Sequence, residues 1–286
     1  MTNKTANASN NELTITNGKI RFFEELASNG FPALNVQQYD GWLLRFSHGY
    51  TGRANSVSVL YPSTLDIQEK IDYCEECYKN HDLSCLFKLT DSEDDRALNA
   101  ALEKRGYYVV SPTDIMVLKL SELSELSDGT SSNADNSPGS RTQPTDATNR
   151  PCNVVFSSEP TEEWLNAFFA FKGLDDKQSQ LLFRQINAKV QVKTLYASAV
   201  QDEKTVACAS AVIERGYMLL HNVIVAPNER GHGIGKEICL SLLKKAEEEG
   251  ATYAYLQVMQ KNDVALSLYK KLGFQKEYSY WYMRGK

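Results

Sequence analysis

The chain has 286 residues, of which 42% are apolar and 23% charged, and a formal net charge of −5. That length fits one large domain or two modest ones of ordinary soluble composition. The balance lacks the Lys and Arg excess that displaces counterions from nucleic acid, and no run approaches the roughly 18 apolar residues of a membrane helix.

In chain order, residues 1–13 read as a disordered tail, because the opening MTNKTANASNNELT is polar and has no apolar stretch that would make it a secretory signal. Six cysteines without such a signal read as reduced thiols of a cytoplasmic protein. Residues 14–120 form a first unit. Its segment GWLLRFSHGYTGRANSVSVL sets Trp42, Arg45, Tyr50, Arg53 and Asn55 among alternating apolar residues, and SVSVLYP reads as a strand. The helix LDIQEKIDYCEECYKNH follows, with Ile67, Ile71, Cys74 and Tyr78 on one buried stripe. Cys74, Cys77, His81 and Cys85 have a zinc-like spacing, but the stripe makes them small core residues and no metal is expected. Strand LSCLFKL, helix DRALNAALEKRGY and strand YVVSPTDIMVLKL complete the unit.

Residues 121–152 are dominated by Ser, Thr, Asp, Asn, Gly and Pro, have no periodic apolar pattern, and read as a flexible linker. Residues 153–286 then alternate strand and helix. Strand NVVFSS precedes a helix capped by Thr161 that carries Trp164, Phe168 and Phe169, and a second helix covers about 175–187. Strands QVKTLYASAV and TVACASAVIERG read as a hairpin, followed by strand YMLLHNVIV, a glycine loop, a helix ending at Gly250, strand ATYAYLQVM, helix DVALSLYKKLG and the aromatic strand EYSYWYMR.

The glycine loop, Arg230-Gly231-His232-Gly233-Ile234-Gly235, lies where a strand hands over to a helix. Unpaired N–H groups and the positive end of a helix dipole make such a junction an anion cradle, glycines let the backbone approach, and Arg230 adds a fixed charge. Superposing Gly106 on Gly273 exposes a weak internal repeat, in which Leu102 takes the slot of Tyr269 and no Arg-glycine loop follows Tyr61-Pro62.

Leu219 to Phe274 resembles the acyl-CoA-binding core of the GNAT superfamily of N-acyltransferases. Arg230, Gly233 and Gly235 match its pyrophosphate motif, Asn262 its asparagine after the next strand, and Tyr269 its tyrosine seven residues on. The resemblance implies the GNAT fold, a mixed and mostly antiparallel twisted sheet flanked by helices (an α+β or α/β class). It implies two such copies in tandem, the first a degenerate half and the second, 153–286, complete and catalytic. It implies acetyl-CoA as co-substrate, its pyrophosphate on residues 231–236 (Gly231, His232, Gly233, Ile234, Gly235 and Lys236), and its pantetheine arm along Val223, Ile224 and Val225. Tyr269 matches the family's general acid, a phenol able to protonate the departing thiolate.

Three routes for deprotonating the amine stay open. His221 shares strand parity with Val223 and Val225 and so is expected on their face; Glu214 is the rival; water alone is the third. Trp42, Arg45, Arg53 and Asn55 are the acceptor-cleft candidates of the first half. The acceptor is a small-molecule or peptide amine, with no nucleic acid or membrane partner, and the protein is a monomer that mimics a dimer internally or a homodimer. A coenzyme A-binding regulatory protein and an enzyme for longer acyl-CoA are the competing readings.

Overall fold

The structure, a computed structural model, describes residues 5–123 and 152–285, with side chains from Asn17 onward. The expected linker therefore lies outside the described residues except at its ends, as do the side chains of the expected tail. The elements are α1 (Thr5–Gly30), β1 (Asn35–Tyr39), β2 (Trp42–Phe46), β3 (Val57–Val59), α2 (Ile67–Lys79), β4 (Leu86–Thr90), α3 (Arg96–Lys104) and β5 (Tyr108–Lys119) in the first half. The second half supplies β6 (Asn153–Ser157), α4 (Glu162–Lys172), α5 (Lys177–Ala188), β7 (Lys193–Gln201), β8 (Lys204–Glu214), β9 (Tyr217–Val225), α6 (Ile234–Glu248), β10 (Tyr253–Met259), α7 (Asp263–Lys271) and β11 (Gln275–Arg284). Caps account for several boundaries: Asp66, Thr161 and Asp176 side chains accept backbone N–H bonds at the starts of α2, α4 and α5, and Gly250, at φ +93, follows the end of α6.

All eleven strands join one sheet in the order β1-β2-β3-β4-β11-β5-β10-β9-β8-β7-β6. Its pairs are antiparallel apart from β3 with β4 and β9 with β10. Each half thus has one parallel pair, and the halves trade their last strands: β5 pairs with β10, while β11 pairs with both β4 and β5. The trade extends into the cores. Met116, Leu118 and Leu120, from the first half, lie in the second half's core with Ile238, Leu242 and Ala246 of α6. Met283, from the second half, lies with Ile71, Cys74 and Tyr78 of α2 and with Leu102 of α3.

Helix α1, absent from the sequence-based expectation, lies across the join. Ile20, Phe23, Leu26 and Ala27 pack on Ile115, Leu219, Tyr255 and Tyr278 of the central strands. Glu24 on this helix is buried against Lys88 of β4 and accepts a 2.8 Å bond from the Tyr278 hydroxyl. Cys74 faces the first half's core, and the His81 ring stacks on Phe46 at 4.4 Å. Among the described residues no helix is long and apolar enough to cross a membrane.

Asp95, just ahead of α3, is buried and takes bonds from the backbone N–H and the hydroxyl of Thr90 at 2.7 Å each on one oxygen. Burial pushes its carboxyl up to about 6 despite those bonds. A folded-state value above the unfolded 3.8 means the fold favours the protonated acid, so stability falls as pH rises from about 4 to about 6. Asp95→Asn keeps the accepting oxygen without the charge. Its expected result is a higher Tm than the parent above pH 6, worth at most about 3 kcal/mol, and no gain near pH 4; thermal melts across that range check it.

Candidate functional site

Strands β9 and β10 pair in parallel only from Tyr217–Leu220 against Tyr253–Leu256. Beyond Leu220 the strands part: β9 runs on to Val225 still paired with β8, and β10 runs on to Met259 paired with β5. The β10-facing edge of Val223, Ile224 and Val225 is therefore left open, a wedge with free backbone polar groups along one wall. Strand β9 ends at that wedge in the turn Pro227–Glu229 and the glycine loop.

Gly231 and Gly233 sit at φ +85 and +81, values that strain any residue with a Cβ, and a Cβ at either would meet open space. Their conformation turns the first N–H groups of α6 outward, with Gly233 as N-cap and no side chain capping them. Arg230, His232 and Lys236 are exposed beside these groups, and the Arg230 Nε donates to the Val225 carbonyl at 3.2 Å, which ties the guanidinium to the wedge. The result is an open, positively biased cradle.

Helix α7 closes the third side. A Cβ on Gly235 would lie 3.5 Å from Val225 and 3.7 Å from Leu268, so the loop, the end of β9 and α7 converge. Asn262 caps α7 by accepting the Ala265 N–H at 3.2 Å, a bond that occupies only its side-chain oxygen. Tyr269, one residue beyond Leu268, is 9% exposed and packs edge-on against Phe274 at 5.9 Å. Its hydroxyl bonds to no described residue, and burial raises the phenol well above its ordinary value. It stays protonated at every physiological pH.

His221 does not share the face of Val223 and Val225, contrary to the parity expectation. Asn222 adopts φ +56 and makes a bulge, so that His221 opposes Ser210 while Ile224 opposes Cys208. Leu220, Val223 and Val225 face α6, whereas Leu219 and Ile224 face the α1 and α4 side, and alternation before the bulge puts His221 with them. Burial, then the cation of Arg53, pushes its imidazole down to about 3, and its Nδ1 is buried without a partner.

The remaining candidates divide. Glu214 takes both Asn29 amide bonds at 3.1 Å and sits opposite Tyr217, about 13 Å down the strand from His221. Trp42 is core in the first half, with Lys70 over its ring. Asn55 accepts from Ser47 and Gly49 and donates to the Tyr50 and Thr51 carbonyls, which satisfies it fully as a loop staple. Arg45 is buried and donates to the Phe31 carbonyl and Ser28. Of the first half's candidates only Arg53 reaches the His221 side. Lys172, at the end of α4, joins it there, and no motif in the sequence marks that residue.

The first half has the same parallel pair and following helix, but a carboxylate holds the turn ahead of that helix. The Asp40 carboxylate accepts the N–H of Thr64 and Leu65 at 2.9 Å and the Thr64 hydroxyl at 2.8 Å, ahead of α2. Those N–H bonds hold it well below the ordinary carboxylate range, and Lys70 pairs with it at 3.1 Å. The first N–H groups of α2 itself are taken by the Asp66 side chain, whereas those of α6 have no side-chain cap.

Residues 17–283 match the family model described as Probable histone acetyltransferase Rv0428c C-terminal. The chain is 28% identical over 258 residues, 89% of its length and 94% of the relative's, to the protein called Uncharacterized N-acetyltransferase YobR of Bacillus subtilis (strain 168). Among solved structures it is similar to a GCN5-related N-acetyltransferase from Kribbella flavida, at TM-score 0.60 and 15% identity, covering 92% of this chain and 95% of that one. A tandem GNAT protein from the clavulanic acid biosynthesis pathway shares the fold at TM-score 0.60 and 14% identity, covering 92% and 87%.

Proposed function

The chain belongs to the family of that model, and with it to the GNAT superfamily of acyltransferases, and we propose that it moves an acetyl group from acetyl-CoA to a primary amine by direct attack in a ternary complex. The observation that carries this reading is the convergence of the β9–β10 wedge, the open cradle of α6 and the unbonded hydroxyl of Tyr269. The cradle suits the pyrophosphate, and the open edge of Val223–Val225 suits the amides of the pantetheine arm. A β9 N–H of the open edge is assigned to stabilise the oxyanion of the tetrahedral intermediate.

In the reaction the neutral amine nitrogen forms a bond to the thioester carbon, the C–S bond breaks, and the Tyr269 hydroxyl protonates the departing sulfur. The proton shed by the nitrogen passes to water, from which the tyrosinate is reprotonated. Asn262, with its amide nitrogen not used in capping, is assigned to the cofactor side. The first half, whose α2 start is capped by Asp66 and which lacks the Arg-glycine loop, is assigned a structural and acceptor-binding role and no second active site. The cytoplasm is the compartment this reading implies.

Acetyl-CoA at about 100 times its Kd should stabilise the native protein by about 2.7 kcal/mol. The check is a rise in Tm with ligand concentration, joined to an amine screen that follows free thiol release. No shift in Tm at millimolar acetyl-CoA sinks the reading.

A further inference from the structure

The face of β9 that carries His221 is covered by the loop between β2 and β3, and that loop brings Arg53, a cation without a carboxylate partner among the described residues. Tyr50 packs against both the Trp164–Phe168–Ile224 cluster and the Phe31–Ile186 cluster, which fixes the loop on the second half. The Arg53 guanidinium lies 4.7 Å from the Phe31 ring, and the Lys172 ammonium lies 5.2 Å from the Phe168 ring. Neither forms an ion pair with a carboxylate among the described residues, and none of the N–H donors of Arg53 has a protein acceptor there. The Arg53 guanidinium is half-buried and Lys172 is exposed beside it, so five guanidinium N–H donors and an ammonium are free for a ligand.

Unpartnered polar atoms collect around the same loop. His221 Nδ1, the Tyr282 hydroxyl and the Thr51 hydroxyl are all buried without a hydrogen bond. Tyr282 is 6% exposed, and its phenol carbon lies 3.4 Å from where a Cβ on Gly52 would be, which brings its hydroxyl end to the loop. Thr51 is held at φ +61, ψ 145, a conformation that costs of order 1–3 kcal/mol and persists where the surroundings enforce it. The cation of Arg53 acts on Tyr50, Lys172, His221 and Tyr282, secondary in each case to burial, and no carboxylate offsets it at the first three.

Taking the acetyl-transfer reading as its premise, we propose that the acceptor is an amine that also carries an anionic group, the α-carboxylate of an amino acid being the simplest, bound by Arg53 with Lys172. An anion there supplies the missing counter-charge and gives the guanidinium its bidentate partner. The ammonium loses its proton to water before attack, because burial, which outweighs the Arg53 cation, keeps the His221 imidazole a weak base whether or not the anion is bound. A plain amine, which adds positive charge beside Arg53 and Lys172, is disfavoured.

The test is initial-rate thiol release from acetyl-CoA with a panel of amino acids, each against its decarboxylated amine, and with O-phosphoethanolamine against ethanolamine. The expected result is a kcat/KM at least tenfold higher for the anionic member of the best pair. Arg53→Gln should remove that preference by raising the acceptor KM about 10- to 100-fold, while the KM for acetyl-CoA stays within about twofold. Arg53→Lys, which keeps the charge, should retain part of it. Preference for O-phosphoethanolamine over the amino acids supports the site and makes its anion a phosphate. Equal or faster turnover of the plain amines, or a preference that survives Arg53→Gln, overturns the proposal and leaves acetyl transfer intact. If no amine is turned over, acetyl transfer is what fails, and the anion site is read separately in the coenzyme A complex. There, N-acetyl amino acids should raise Tm more than their carboxamides, and only in the parent protein; no difference overturns it.

Discussion

Replacing Tyr269 by phenylalanine is expected to lower kcat by about 10²- to 10⁴-fold, the usual contribution of a positioned general acid, and to leave acetyl-CoA affinity within about twofold. The substitution removes one oxygen. The ring stays in the core with Phe274 and Leu272, and the hydroxyl bonds to nothing in the described structure, so no buried partner is orphaned. Folding stability should therefore hardly change, and Tm separates a chemical loss from a structural one. The phenol is raised by burial and stays protonated, so its loss should not move the pH profile of whatever activity remains. Unchanged kcat would show that water or coenzyme A itself handles the proton and that Tyr269 is only packing. A parent protein that binds acetyl-CoA yet turns over no amine would favour the regulatory reading instead.

The parts of the site legible in the sequence are those set by local chemistry. Arg230 to Gly235, Asn262 and Tyr269 come together because the glycine loop, the cap and the helix each follow from a few neighbouring residues. His221 went to the opposite face because parity assumes an unbroken pleat, and the bulge at Asn222 breaks it. Asn tolerates positive φ better than most residues, which was the only local sign. Trp42, Arg45 and Asn55 looked like site residues because polar and aromatic types line clefts, yet all three are spent on the first half's own interior. Composition does not distinguish a satisfied buried Arg from a waiting one. Arg53 differs from Arg45 only through which elements surround it, and that depends on loop placement between the halves. The strand trade was equally hidden, since β5 and β11 are alternating strands that could pair with many edges. Helix α1 was missed: Ile20, Phe23 and Ala27 have a helical spacing, but no cap or motif marks the segment.

The two halves expressed as separate chains are expected to fail to fold, and to recover solubility and thiol-release activity when produced together from a chain broken between residues 123 and 152. Without residues up to 123 the second half loses β5, so β10 keeps a bare edge from Tyr253 to Met259 and β11 has no neighbour from its own half. Its core also loses Met116, Leu118, Leu120 and Leu123. Removing one large buried side chain costs roughly 2–5 kcal/mol, and four together, about 8–20 kcal/mol, match or exceed the 5–15 kcal/mol by which a whole domain is usually stable. The first half suffers in the same way through β11 and Met283, leaving β4 as an open apolar edge that invites aggregation. Co-expression restores both strands at once, because the trade is between chains that need no covalent link to pair. A soluble second half that binds acetyl-CoA alone would sink this account, and would mean that its sheet closes by folding β11 into the place of β5. Co-purification in a 1:1 ratio, with activity in the complex and in neither fragment, is the outcome the sheet order requires.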